Sequence, residues 1–336
     1  MCRFGLSAVG ILVTLFGRME VKCELSYKVI QAANVELNDY CPTKVTTMGN
    51  VIETVSLRKQ PMPPPIQKLS KELYLDLRTG EVGEFEHSET RADDKNSVRR
   101  TLSRIRALIN TNCTEPENVR WVTLTYAENM TDTKQLYKDY VSFWKRFCRW
   151  CSSQGYSKPE YITVQEPQGR GAWHIHAFFI FPHKAPFIDN NSVMWKLWGH
   201  GFTSTKQLHD CDNAGAYFSA YLADMPLDEY DQLDAAERDP DFSGSSVVEK
   251  EFVDADDQRK IKKFVKGGRL GLYPAGMQIY RKSKGIKEPE VEQMTLKEAK
   301  KKVSAATLTF SSSYEVVDDD GNVHNAISKS YYNRAR

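Results

Sequence analysis

The chain has 336 residues, 40% of them hydrophobic and 27% charged, with a net charge of +2. That length buries a sizeable core, and the composition is that of an ordinary globular protein, so a disordered or low-complexity chain is excluded. The near-neutral total says little about partners, and the seven scattered cysteines, odd in number, do not make a disulfide framework.

At the N-terminus, Phe4 to Gly17 is apolar behind Arg3 and mimics a short signal peptide. It is too short and glycine-broken for a membrane span, and no small-x-small cleavage site follows it. Met19 comes directly after as an alternative start, so the expected location is cytoplasmic, with no membrane partner. Residues 19–65 show weak periodicity and end in Pro61-Met62-Pro63-Pro64-Pro65, a stiff linker or extended arm. Residues 1–65 therefore read as an N-terminal extension. Leu73 to Leu77 reads as a strand before a turn at Thr79-Gly80. Ser97 to Ile109 reads as a helix with Val98, Leu102, Ile105 and Ile109 on one stripe.

Trp121 to Tyr126 alternates β-branched and aromatic residues and reads as a strand. Thr133 to Ser153 is an amphipathic helix with Leu136, Tyr140, Phe143, Trp144 and Phe147 on its apolar face. Cys148 and Cys151 form a C-x-x-C on that helix, with no second pair at zinc-site spacing, and read as core or helix-surface thiols. Tyr161 to Glu166 and His174 to Phe181 read as two strands joined by the glycine turn Pro167–Gly171. Ser192 to Trp198 reads as a short helix stopped by Gly199. Gly201 to Leu208 is a further strand, and Ala214 to Met225 a helix ending before Pro226.

Charge is strongly polarised after that helix. From Asp224 to Asp257 there are about thirteen acidic residues against two basic ones; from Arg259 to Lys287 there are about ten basic residues and no acidic one. The first block reads as an acidic loop or insertion at 226–257. The second suits a phosphate backbone, or equally a solvated polar face. Residues 291–336 read as a polar tail that frays. Neighbouring strands are joined by hairpins, which predicts an α+β fold: a mainly antiparallel central sheet of about five strands flanked by helices, over residues 66–290.

Chemistry concentrates at two places. A strand has a side-chain period of two, so His174 and His176 share a face, about 7 Å apart along the backbone. The other face carries Ile175, Ala177, Phe179 and Phe181, which suits a core. A hairpin brings Glu166 beside the two histidines. Together the three make a plausible metal site with open positions for water and phosphate. Two half-buried histidines satisfied by hydrogen bonds fit the same pattern. The histidine-triad nucleotide hydrolases would need a third histidine at Phe178. The second place is Tyr217 and Tyr221, which as i and i+4 lie on one helix face. Two phenols there can each attack a phosphodiester once a base or metal field assists them, or they can simply pack.

A threonine-rich strand, a His-hydrophobic-His strand and a following tyrosine helix together resemble the HUH endonuclease superfamily. The stretches concerned are Val122-Thr123-Leu124-Thr125-Tyr126, His174-Ile175-His176 and Tyr217-Phe218-Ser219-Ala220-Tyr221, and Glu166 sits where such proteins often carry an acidic ligand. Gly169 to His176 resembles replication-associated proteins of Gram-positive plasmids and phages. The two-tyrosine spacing resembles initiators of small single-stranded DNA phages, and Arg281 to Lys287 fits their closing basic strand.

The resemblance, which covers roughly residues 70–290, implies a rolling-circle replication initiator. In it, Glu166, His174 and His176 hold Mg²⁺ or Mn²⁺, and Tyr217 (the favoured nucleophile) with Tyr221 cuts and rejoins single-stranded origin DNA through a 5′-phosphotyrosine. Arg170, Trp173, Lys282 and Lys284 are the candidates for DNA contact, with Tyr126 and Phe202 as further stacking candidates. The family often carries a lysine three residues after the first tyrosine. Here that residue is Ala220, which leaves Lys206 or a lysine of the 260–287 block to take that part. No G-x-x-x-x-G-K-[ST] is present, so a host helicase and a host polymerase are implied partners. The alternatives are a relaxase or transposase with the same chemistry, although relaxases tend to place the tyrosine before the histidine strand, and a DNA-binding regulator without catalysis.

Overall fold

The computed structural model describes residues 3–4, 27–60, 66–85, 95–208, 213–233, 247–253, 259–274 and 276–336. The proline run, most of the apolar N-terminal stretch and much of the acidic segment (234–246 and 254–258) lie outside the described residues, as does the side chain of Tyr221. The fold is α+β with several antiparallel sheets. The chain divides into two compact units.

The larger unit comprises Ser70–Leu73 and Glu84–Glu288. Its centre is a five-stranded antiparallel sheet in the spatial order Thr203–Gln207, Val119–Thr125, Trp173–Ile180, Glu160–Pro167, Tyr280–Lys282. The strand bearing the histidines is therefore the middle one. It reads WHIHAFFI, almost continuously apolar, because both of its faces are covered.

On one face Phe179 packs against Phe147 and Phe143 of the helix Thr133–Ser153, with ring centroids 4.5 and 6.2 Å apart. That helix starts where Asp132 accepts hydrogen bonds from the Lys134 and Gln135 amides, at 2.8 and 3.1 Å. Its buried stripe, Leu136, Tyr140, Phe143, Phe147 and Cys151, follows the helical period. Cys148 and Cys151 are free thiols, and burial pushes the Cys151 thiol up to about 12, so it is an inert core group.

The other face carries His174, His176 and Phe178, and on it rests the tyrosine helix, Ala214–Ala223, through Phe218. The helix Lys95–Asn112 packs closely against this one at Gly215. A Cβ there would stand 2.3 Å from the Arg106 carbonyl, and the Gly215 amide instead donates to Asn110 Oδ1 at 2.8 Å. The tyrosine helix stops at Ala223 rather than Met225. Met225–Pro226 is already extended, pairing with Arg259–Val265.

The charge blocks are thereby structured rather than looped. Arg259–Val265 is the middle of a three-stranded sheet between Met225–Pro226 and Val247–Val253. Acidic and basic blocks face each other across it: Lys263 lies 3.9 Å from Glu249, and Lys262 3.2 Å from Asp228 of the short helix Leu227–Tyr230.

The smaller unit comprises Met1–Leu69, Tyr74–Gly83 and Pro289–Arg336. It corrects the reading of both ends of the chain. Residues read as an extension supply Tyr27–Ala32, Pro42–Met48 and Val51–Leu57, and residues read as a fraying tail supply Glu290–Thr295, Thr307–Val317 and Val323–Asn333. All six lie in one seven-stranded antiparallel sheet. The pairing is remote in sequence, Ile327 lying opposite Leu57, and many strand positions are Ser, Thr or charged, so no apolar run announces them. The helix Leu296–Lys302, started by a Thr295–Glu298 capping box, places Ala299 with Val45 and Ile52 in a small core.

Candidate active site

Strand register builds the site. His174 lies opposite Glu166 on one neighbour and Thr125 on the other; His176 lies opposite Val164 and Thr123. Directly opposed residues share a face, so one carboxylate, two imidazoles and two threonine hydroxyls are presented together. Gly171 closes the hairpin between the first two strands. Its φ of +79° is the left-handed conformation that glycine adopts without strain, and its amide donates to the Gln168 carbonyl at 2.8 Å.

Glu166 is fully buried. Its Oε2 stands 2.8 Å from His176 Nε2 and 3.7 Å from His174 Nδ1. His176 is buried as well, and its Nδ1 lies 3.2 Å from Thr123 Oγ1, so a hydroxyl and a carboxylate fix the ring from both sides. Phe218 and Trp121 lie over that ring, with centroids 5.4 and 6.1 Å away.

The electrostatics follow from burial. Desolvation pushes the Glu166 carboxyl up, but the hydrogen bond from His176 and the charges of His176 and Arg269 more than offset it, so the group is held below the ordinary carboxylate range. Burial pushes His174 down, against the opposing pull of Glu166. The resulting protonation states, an ionised carboxylate beside a neutral imidazole, are those a cation ligand needs. Glu166 Oε1 is buried with no hydrogen bond, its neighbouring charge being Arg269 Nε at 3.3 Å. The donor set thus fits a divalent ion, but not as a ready cage. Among the described residues no three His, Cys, Asp or Glu side chains are arranged to hold a metal. The direct Glu166–His176 hydrogen bond occupies the contact that a cation would take over.

The tyrosines separate from this cluster. Tyr217 lies on the helix over the histidine face and is 65% exposed, with its ring edge-on to Trp121 at 6.1 Å. It borders a cleft of about 340 Å³ together with Lys206, Gln207, Trp121 and Phe178. The ring that rests on His176 is that of Phe218. Tyr221 follows one turn later, two residues before Ala223, whose carbonyl accepts from the Arg269 amide at 3.0 Å.

The expected DNA contacts divide too. Arg170 is exposed at the hairpin tip and Lys284 is exposed. Lys282 is engaged with the Ile286 carbonyl and with Glu288, both at 3.3 Å. Trp173 does not serve as a stacking platform. It is 4% exposed, donates from its indole nitrogen to the Thr131 carbonyl at 3.3 Å and belongs to the core. Tyr126 is likewise buried, its hydroxyl donating to Asp139 at 2.9 Å, whereas Phe202 is exposed.

Three site residues escaped the sequence reading. Phe218 was hidden among other helix aromatics. Glu229 lies in the acidic block and Arg269 in the basic one, and nothing in their spacing sets them apart from their neighbours. The only local signal is the Gly267-Gly268 pair before Arg269, which marks a tight turn.

Residues 119–226 match the family model of the replication-associated protein ORF2. The matched segment runs from the threonine strand through the metal-side hairpin to the end of the tyrosine helix. No curated protein and no solved structure matches the chain. Among the described residues no helix is long and apolar enough to cross a membrane.

Proposed function

We propose that this chain initiates DNA replication by nicking and rejoining single-stranded DNA at an origin through a 5′-phosphotyrosine, as rolling-circle initiators of the HUH superfamily do. One observation carries the reading. Glu166, His174 and His176 meet on one sheet face beneath a helix carrying two tyrosines, all within the segment that matches a replication-associated family.

Glu166 Oε2, His174 Nδ1 and His176 Nε2 are the atoms that would hold Mg²⁺ or Mn²⁺. Such an ion, when bound, supplies charge stabilisation to the scissile phosphate. Thr123 then has a defined task. With His176 Nε2 given over to the ion, Nδ1 carries the proton and donates it to Thr123 Oγ1, keeping the ring oriented. A tyrosine oxygen attacks the phosphorus in line, the phenol proton is lost to solvent or a nearby base, and the 3′ oxygen leaves with the bond's electron pair. The phosphotyrosine conserves the bond, so rejoining needs no nucleotide cofactor. The free 3′ hydroxyl would serve a host polymerase, with a host helicase opening the duplex. Lys206, in the same cleft as Tyr217, takes the phosphate-orienting part that Ala220 cannot. Arg170 and Lys284, both exposed, can meet the DNA backbone.

The test is covalent capture. Wild-type protein with single-stranded origin oligonucleotide and Mn²⁺ should form a denaturation-resistant adduct. Tyr217→Phe with Tyr221→Phe should abolish it, and His176→Ala should slow it at least about 100-fold. The single tyrosine changes assign the primary nucleophile. An adduct that persists in the double variant removes both tyrosines from the chemistry.

A further inference from the structure

We infer that Arg269 is a positioning residue that ties the metal-side carboxylate to the C-terminal end of the tyrosine helix, so that one guanidinium sets both halves of the active site. This rests on the nicking reading for its functional consequence, but not for its geometry.

Arg269 is 5% exposed, and its fork is fully used. Nη1 donates to the Pro167 carbonyl at 2.8 Å, at the end of the strand that presents Glu166. Nε donates to the Asp224 carbonyl at 3.1 Å, just past the tyrosine helix, and lies 3.3 Å from Glu166 Oε1. Nη2 pairs with Glu229 Oε2 at 2.9 Å. Glu229 extends the tie, because its Oε1 accepts the Gly169 amide at 2.8 Å and so holds the hairpin tip. The backbone closes the circuit, with the Arg269 amide on the Ala223 carbonyl and the Gly267 amide on Asp224 Oδ1 at 3.1 Å.

The sequence feature that permits this is the glycine pair. Gly267 has a φ of +72°, and a Cβ on Gly268 would stand 3.0 Å from Met225 Cβ. The turn therefore feeds the arginine inward. A buried charge is retained at a desolvation cost that apolar packing would avoid. Here it faces two carboxylates, one of them the metal-side ligand. Only a planar, five-donor fork can serve carbonyls and carboxylates on both sides at once; a lysine ammonium cannot.

The experiment uses the full chain with Arg269→Lys and Glu229→Gln. Amide hydrogen exchange is followed in the hairpin 168–171 and in the helix 214–223, with the central strand 173–180 as the internal reference. In Arg269→Lys, exchange should rise about tenfold or more in both segments together while the central strand keeps its protection. A Mn²⁺ titration without DNA should weaken by about 10- to 100-fold, as for loss of an outer-shell partner. Adduct formation at saturating oligonucleotide should slow while oligonucleotide affinity changes less than about threefold. Glu229→Gln, which leaves the arginine in place, should give the same paired rise on a smaller scale, and it decides the matter if Arg269→Lys fails to fold.

A rise confined to one segment, or no rise in either, overturns the coupling. If the wild type binds no Mn²⁺ and forms no adduct, the nicking reading fails, and the exchange data still settle whether Arg269 joins the two elements.

Discussion

The two units use the same kinds of polar residue under opposite conditions. In the larger one, Glu166, His176 and Arg269 lie inside a sheet covered on both faces, where an unpaired charge is costly. In the smaller one, Lys329–Glu53, Lys28–Asp319 and His324–Asp318 bridge residues at least partly open to water. Exposed pairs of that kind contribute about 1 kcal/mol or less. The contrast separates chemistry from solubility. A buried, mutually satisfied cluster marks a place where the fold holds charge for a purpose, and a ladder of surface ion pairs does not.

Substitutions can break or sharpen that contrast. The largest effect is expected in the covered sheet. Phe179→Ala removes a ring held between Phe143, Trp144 and Phe147 and should cost about 3–5 kcal/mol in urea unfolding. Next is a buried hydrogen bond in the same unit. Tyr126→Phe leaves Asp139 Oδ2 without its phenol donor and should cost about 1–3 kcal/mol by the same measurement. In the smaller unit, Lys329→Met should change stability by about 1 kcal/mol or less, even though its ammonium sits 2.6 Å from Glu53 and over the Tyr331 ring. A loss there as large as that of Phe179→Ala would erase the distinction.

The smallest effect is a pH signature. Hydrogen bonds from His324 and Asn322 hold the Asp318 carboxyl down at about 2. A depressed folded value means that this carboxylate stabilises the fold above the unfolded value of about 3.9 and loses its contribution as pH falls toward about 2. The stability gap between wild type and Asp318→Asn, read from urea midpoints, should therefore shrink on acidification through that window. A gap that widens would contradict the assignment.

Much of the larger unit was legible because its signals are local. Thr133–Ser153 follows from a helical stripe behind an Asp cap, and the Glu166–His174 hairpin from two apolar strands around Gly171. The placement of His174 and His176 on one face, away from Ile175 and Phe179, is a consequence of strand geometry alone. The seven-stranded sheet was not legible, since its strands are polar and pair across most of the chain, as Lys59 and Asn325 do. The acidic and basic blocks misled for a related reason. Charge composition suggested a loop and a DNA track, but Val247–Val253 and Arg259–Val265 neutralise each other as paired strands.

By itself, then, the sequence determined which side chains share a face: periods of 2 and 3.6 are properties of the backbone and need no partner. Only the tertiary structure decided which faces meet. Phe218 rather than Tyr217 on the His176 ring, Trp173 in the core and Arg269 beside Glu166 depend on how helix, hairpin and glycine turn pack, and packing is set by contacts that no local pattern encodes.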